Sequence, residues 1–294
     1  VDKFLLKVYQ KILTKIDQHP LTKYQSAYFY QKALEKNLQN LPPLSPEDMD
    51  LVNLVKKEGV VITTLDKLGI TSTPDLLESA QILMPKIAQN ILSHSHPNEI
   101  TIYASPQQIM EYPKIFLWGL EQRLLNIVEN FLGLPVAYQG VYFRRDIANQ
   151  LEAGSRLWHI DREDRKILKV IIYLNDVSED HGPFQYISKS LTSKIAQSLK
   201  YTSGYIQDQI MQKFISSGIY KSCTEISGTV IIADTSSIFH RGKPPIASDR
   251  FTIFFDYTTR RHKQALHGTS TLSNKDLLLL SKHFSETQNK CIFW

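Results

Sequence analysis

Apolar positions in the first hundred residues recur at helical spacing. Phe4, Leu5, Val8, Tyr9, Ile12, Leu13 and Ile16 form one stripe, with Lys3, Lys7, Lys11 and Lys15 on the other side. This pattern predicts an amphipathic helix that docks on the protein's own core rather than on an anionic membrane surface. A second helix is punctuated at both ends. Ser45 can cap it, Pro46 suits its first turn, Glu47 and Asp48 favour its positive end, and Gly59 stops it. Residues 60–65 read as a short strand. Thr73-Pro74-Asp75 opens a further helix to about residue 91, a polar loop covers 93–99, and a long apolar helix from about Lys114 ends at Gly133-Leu134-Pro135.

Beyond that point the period shortens. The runs 137–144, 155–160, 167–174, 184–187, 228–233, 238–241 and 251–258 are rich in β-branched and aromatic residues and separated by turn residues. Such a succession predicts a sandwich or barrel. A polar, helix-compatible insertion occupies about 190–218, and the tail holds one helix, 274–283. No internal repeat or low-complexity segment interrupts the chain. The expected organisation is one catalytic domain over 1–294. It comprises a helical part (1–96), a β core (97–262) and a C-terminal tail (263–294).

Composition and charge narrow the function classes. The 294 residues are 42% apolar and carry a net charge of +5, ordinary proportions for a globular chain. Residues 1–100 hold 11 basic and 11 acidic side chains and the remainder 23 and 18, so the excess lies in the last two-thirds. An anionic ligand is expected there, whereas a nucleic-acid partner is not, for want of a basic stripe. Two cysteines, Cys223 and Cys291, are too few for a zinc module or disulfide framework, which favours a reducing, cytoplasmic setting. No apolar run reaches the ~20 residues of a membrane span, and charges stand where a signal peptide would be apolar.

The chemistry concentrates around Leu157-Trp158-His159-Ile160-Asp161. On a strand, side chains at i and i+2 share a face, so the imidazole and the carboxylate converge. Chance alone gives roughly one His-x-acid pair in a chain of this composition, and this is the only one. A second imidazole, His240, follows the β-rich run from Gly228 to Asp234. Arg250 comes ten residues later, after a turn at Pro244-Pro245 that can return the chain alongside His240. Gly182-Pro183-Phe184 marks a tight turn between the two halves. Two histidines and a carboxylate on one face of a metal leave the opposite face open, as Fe(II) oxygen chemistry requires, and an arginine nearby can pair with a carboxylate. His94-Ser95-His96 is a competing metal motif without a carboxylate at ligand spacing. One of Arg144 and Arg145 is expected to point inward, Trp158 to face the core, and Tyr142, Tyr173 and Arg156 to line a pocket.

In the text Trp158-His159-Ile160-Asp161, then 171–175 and His181-Gly182-Pro183-Phe184, then Gly228-Thr229 through His240 and Arg250, the sequence resembles the phytanoyl-CoA dioxygenase-type group of Fe(II)- and 2-oxoglutarate-dependent oxygenases. The resemblance spans about 97–260. It implies a mainly β fold with helices, a double-stranded β-helix (jelly-roll, cupin-like) core flanked by N-terminal helices. It also implies His159, Asp161 and His240 as iron ligands and Arg250 on the distal carboxylate of 2-oxoglutarate. Fe(II), 2-oxoglutarate and O2 are the implied cofactors, with ascorbate as a stimulant. The implied reaction is hydroxylation of an unactivated C–H of a small organic molecule, releasing succinate and CO2, as in the tailoring of a specialised metabolite. Desaturation, cyclisation, epoxidation or a non-catalytic binding module are the alternatives. Related halogenases have a small residue where this chain has Asp161, which speaks against halogenation. One departure is Gln185-Tyr186-Ile187-Ser188-Lys189-Ser190, where the family often has Pro-Gly-Ser-His. A monomer is adequate for this architecture.

Overall fold

The computed structural model describes residues 20–89, 99–215, 218–260 and 271–294. The apolar stripe at 4–16 and the His94-Ser95-His96 motif lie outside them. The chain divides into two compact units, 1–42 and 43–294. Within the first, the helix Pro20–Asn37 runs into a 3-10 turn, Leu38–Asn40, and leaves Leu21, Tyr24, Tyr28 and Phe29 exposed.

The second unit is built on two antiparallel sheets. One has six strands in the order β1-β7-β4-β9-β3-β2: Val60–Thr64 (β1), Thr101–Tyr103 (β2), Val136–Asp146 (β3), Leu168–Tyr173 (β4), Thr229–Asp234 (β7) and Arg250–Thr259 (β9). The other has three, β6-β5-β8: Phe184–Ile187 (β5), Tyr220–Cys223 (β6) and His240–Gly242 (β8). From β3 onward the chain passes repeatedly between the sheets, giving the expected jelly-roll core. Alongside this β core, helices occupy more of the described residues than strands do. The large sheet also takes its edge strand β1 from upstream of the span 97–262, because Val60–Thr64 pairs with β7.

The period-two alternation of the large sheet separates two environments. Val141 and Phe143 on β3, Val170 and Ile172 on β4, and Ile253 and Phe255 on β9 are buried in the main apolar cluster. That cluster also holds residues of the helices Thr73–Gln89 and Gln122–Leu132. The residues between them point the other way, toward the small sheet. Their rows follow the register: Lys169 opposite Asp256, Ile171 opposite Phe254, Tyr173 opposite Thr252, and Asp146 opposite Arg250.

Local signals account for most element ends. Ser45 Oγ accepts from Asp48 N at 3.1 Å, and Gly59 closes the helix Pro46–Glu58 at φ 88°. That glycine serves twice, since a Cβ there would collide with Ile238 as well as straining the backbone. Two expectations are corrected. The long helix from Lys114 is two helices, Lys114–Trp118 and Gln122–Leu132. Tertiary bonds at the break capture carbonyls that a continuous helix would use: Tyr138 Oη donates to Phe116 O at 3.2 Å and Tyr257 Oη to Gly119 O at 2.7 Å. The run 155–160 is not a strand. It starts as a 3-10 turn, Gly154–Arg156, and Trp158 and His159 then make isolated bridges to Ile206 and His240. The insertion carries the helices Lys189–Ser198 and Asp208–Met211, and the tail carries Asn274–Leu280 with a 3-10 turn to His283 and, beyond the one helix expected, Glu286–Ile292.

Candidate metal centre

The bridge between the two histidine segments sets the site. His159 N donates to His240 O at 3.1 Å and His240 N to His159 O at 3.0 Å, which fixes the two backbones side by side with ring centroids 4.3 Å apart. Behind each ring, Nδ1 meets a carbonyl: Leu157 O at 2.8 Å for His159 and Ile238 O at 3.2 Å for His240. With Nδ1 carrying the proton, each Nε2 presents its lone pair to the cavity. Asp161 is tied down by its own N–H, which donates to Thr235 O at 3.0 Å. Its Oδ1 lies 3.6 Å from His159 Nε2 and its Oδ2 3.8 Å from His240 Nε2.

This donor set suits a divalent metal. One ligand atom from each of His159, Asp161 and His240 lies within 4.8 Å of the others, and all three residues are buried. Burial, with the neighbouring imidazole, depresses the His240 pKa to about 3, and burial lowers that of His159, so both rings are neutral donors at pH 7. Burial pushes Asp161 up, but the Lys169 ammonium and the two imidazoles outweigh it and keep the carboxylate ionised. Lys169 Nζ stands 2.8 Å from Asp161 Oδ2 and pairs with it. Neutral imidazoles with one carboxylate are a ligand set for iron of the open two-histidine, one-carboxylate kind.

Lys169 also faces Asp256 Oδ2 at 3.8 Å. One ammonium thus serves two carboxylates. Burial raises the Asp256 pKa to about 6 despite Lys169, with the Asp161 charge adding to the rise, and its Oδ1 has no hydrogen-bond donor among the described residues.

At the other end of the same rows the charges are reversed. Asp146 accepts from Arg144 (Nη2 to Oδ1 at 2.7 Å) and from Arg250 (Nη2 to Oδ2 at 2.8 Å), with Thr101 Oγ1 at 2.9 Å. Burial pushes Asp146 up, but the two guanidiniums outweigh it and hold it well below the usual carboxylate range. Arg250 Nη1 also donates to Gly182 O, and Arg144 lies over the Phe254 ring at 4.4 Å. Two arginines share one carboxylate, leaving a positive surplus. Gly242 permits the packing, since a Cβ there would stand 2.7 Å from Arg250 Nη2.

Both ends open on one cavity of about 290 Å³. Of the sequence-predicted residues, His159, Asp161, His240, Arg250, Arg144, Tyr142 and Tyr173 all line it. Arg156 does not. Its guanidinium is buried in the wall, bonded to Asn149 Oδ1, Leu151 O, Ile100 O and Ile147 O, and so fastens the loop before His159. Arg145 faces away and pairs with Asp249. Trp158 is fully buried, as its position opposite His159 requires. Lys169 and Asp256 were not foreseen, although a lone charge inside Ile167-Leu168-Lys169-Val170-Ile171-Ile172 or Phe254-Phe255-Asp256-Tyr257 is itself a signal. Thr252, with a buried hydroxyl lacking a partner, and Tyr205, which packs edge-on against His159 at 5.0 Å while 58% exposed, also carried no sequence cue.

No family model and no curated protein sequence matches the chain. Among solved structures it is similar to HygX from Streptomyces hygroscopicus with nickel and 2-oxoglutarate bound, at 17% identity over 75% of this chain and 89% of that one, TM-score 0.49. It is similar to EctD from S. alaskensis with 2-oxoglutarate and 5-hydroxyectoine, at 15% identity over 75% and 78%, TM-score 0.49. A third is SnoN, a non-heme alpha-ketoglutarate-dependent epimerase from nogalamycin biosynthesis, at 10% identity over 72% and 83%, TM-score 0.46.

Proposed function

We propose that this chain is an Fe(II)- and 2-oxoglutarate-dependent oxygenase that hydroxylates an unactivated C–H of a small organic molecule. The observation that carries this reading is one cavity with two unlike ends: two neutral imidazoles and a carboxylate at one, and an arginine surplus at the other. When bound, iron and 2-oxoglutarate supply the oxidising chemistry, with O2 consumed and succinate and CO2 released.

The protein's own part is binding, orientation and exclusion of water. His159 and His240 hold the metal through Nε2, their rings fixed by the carbonyls of Leu157 and Ile238. Asp161 adds the anionic ligand, with Lys169 fixing one of its oxygens. Arg250 receives the far carboxylate of 2-oxoglutarate, because Asp146 neutralises only one of the two arginines that touch it. Thr252, two residues along on the same face of β9, adds its free hydroxyl to that carboxylate. Tyr103, Tyr142 and Tyr205 shape the substrate side.

The test is turnover of 2-oxoglutarate with Fe(II) and O2 across a panel of small molecules. Succinate formation coupled to a product 16 mass units heavier supports the reading. Absence of both succinate formation and 2-oxoglutarate binding rejects it.

A further inference from the structure

The two histidine segments have little regular structure to hold them, since His159 sits on an isolated bridge and His240 opens a strand of three residues. What fixes them lies behind the site, in the insertion that follows β5. Residues flanking each histidine are bound to it. Trp158 exchanges backbone hydrogen bonds with Ile206 at 3.0 and 2.8 Å, and Ile160 N donates to Tyr201 Oη at 3.2 Å. On the His240 side, Phe239 N donates to Thr192 Oγ1 at 3.0 Å. One side chain joins the two sets. Asp208 Oδ1 accepts from Trp158 Nε1 at 2.9 Å and is paired with Arg241 Nη1 at 2.9 Å. The Arg241 guanidinium also lies over the Trp158 ring at 4.6 Å and donates from Nε to Gln185 Oε1 at 2.9 Å.

We propose that Asp208 is a positioning residue for the metal centre, clamping the neighbours of both histidine ligands to one another through Trp158 and Arg241. The idea rests on the reading of His159, Asp161 and His240 as metal ligands, which Asp208 does not touch. Its carboxylate acts on the angle at which the two imidazoles meet. Groups that orient ligands in this way change metal affinity by about 10- to 100-fold when removed.

The experiment is anaerobic calorimetric titration of the full chain with Ni(II), without 2-oxoglutarate, alongside thermal melting of the metal-free protein. Asp208→Ala, which removes both contacts, is expected to weaken Ni(II) binding at least about tenfold in protein that still melts cooperatively. Asp208→Asn keeps an acceptor oxygen and is expected to recover part of the loss. Should Asp208→Ala fail to fold, Trp158→Phe removes the indole N–H that meets Asp208, together with part of the ring under Arg241, and is expected to weaken binding severalfold. Wild-type Ni(II) affinity in folded Asp208→Ala, or in both Asp208→Asn and Trp158→Phe, overturns the proposal while leaving the metal centre in place. Absence of Ni(II) binding by the wild type overturns the metal reading itself, and the proposal with it.

Discussion

The two charged ends of the cavity share the large sheet, Lys169 opposite Asp256 at one and Asp146 opposite Arg250 at the other, yet they are in opposite states. At the Asp146 end, one carboxylate is surrounded by Arg144, Arg250 and Thr101, and its acceptor capacity is used. At the Asp161 end, two imidazole nitrogens and a carboxylate oxygen converge, and the ammonium beside them, Lys169, is shared with Asp256. The first arrangement resembles a strut, in which the carboxylate is satisfied within the wall while one of the two guanidinium charges is left over. The second is an open donor set held by backbone bonds and an ammonium. Burial of charge therefore does not by itself mark a functional centre. Convergence of unsatisfied acceptors does.

The largest effects should come from breaking the open end. His159→Ala or Asp161→Ala is expected to abolish iron-dependent 2-oxoglutarate turnover and to reduce divalent-metal binding by more than about 100-fold, read by titration and succinate assay. Next comes the strut. Asp146→Asn leaves two buried guanidiniums without a counter-ion and is expected to cost about 3–5 kcal/mol in urea denaturation. Because the folded pKa of Asp146 lies below its unfolded value, its contribution is present above the ordinary carboxylate pKa. It is lost as pH falls through the folded value, so the difference between wild type and Asp146→Asn should shrink in acid.

Arg250→Ala separates the two ends. It is expected to raise the 2-oxoglutarate requirement by roughly 30-fold, from about 2 kcal/mol of lost charge pairing, while metal affinity stays within about twofold of wild type. The smallest effect concerns Asp256. Its folded pKa, raised to about 6, means that its contribution is full below the unfolded carboxylate pKa and is lost as pH rises through about 6. Asp256→Asn should therefore gain on wild type as the pH is taken from 4 to 8. A flat difference in melting temperature over that range would contradict the burial argument.

Much of this was legible in the chain. The capped helix Pro46–Glu58, the strands β3, β4, β5, β7, β8 and β9, and the convergence of His159, Asp161 and His240 follow from capping residues, short apolar runs and one His-x-Asp pair, whereas β6 does not. What local pattern missed was decided by distant partners. The helix break at Gly119 depends on tyrosines of β3 and β9 that take its carbonyls. Arg156 looked like a pocket residue because nothing near it in sequence shows that four loop oxygens surround it. Lys166, inside the charged run after Asp161, donates from Nζ to Phe131 O and Leu132 O at the end of a helix, at 3.1 and 3.2 Å, a contact set by a partner 35 residues upstream. Lys169 and Asp256 became meaningful only when the register placed them opposite each other beside Asp161.

The most direct measurement is anaerobic binding of 2-oxoglutarate to wild type with and without Fe(II), and to His159→Ala and Arg250→Ala with Fe(II). Tight binding is expected only in metal-loaded wild type, none in His159→Ala, and binding about 30-fold weaker in Arg250→Ala. Equal binding with and without iron, or wild-type binding in His159→Ala, would contradict the claim that the two ends of the cavity hold one ligand between them.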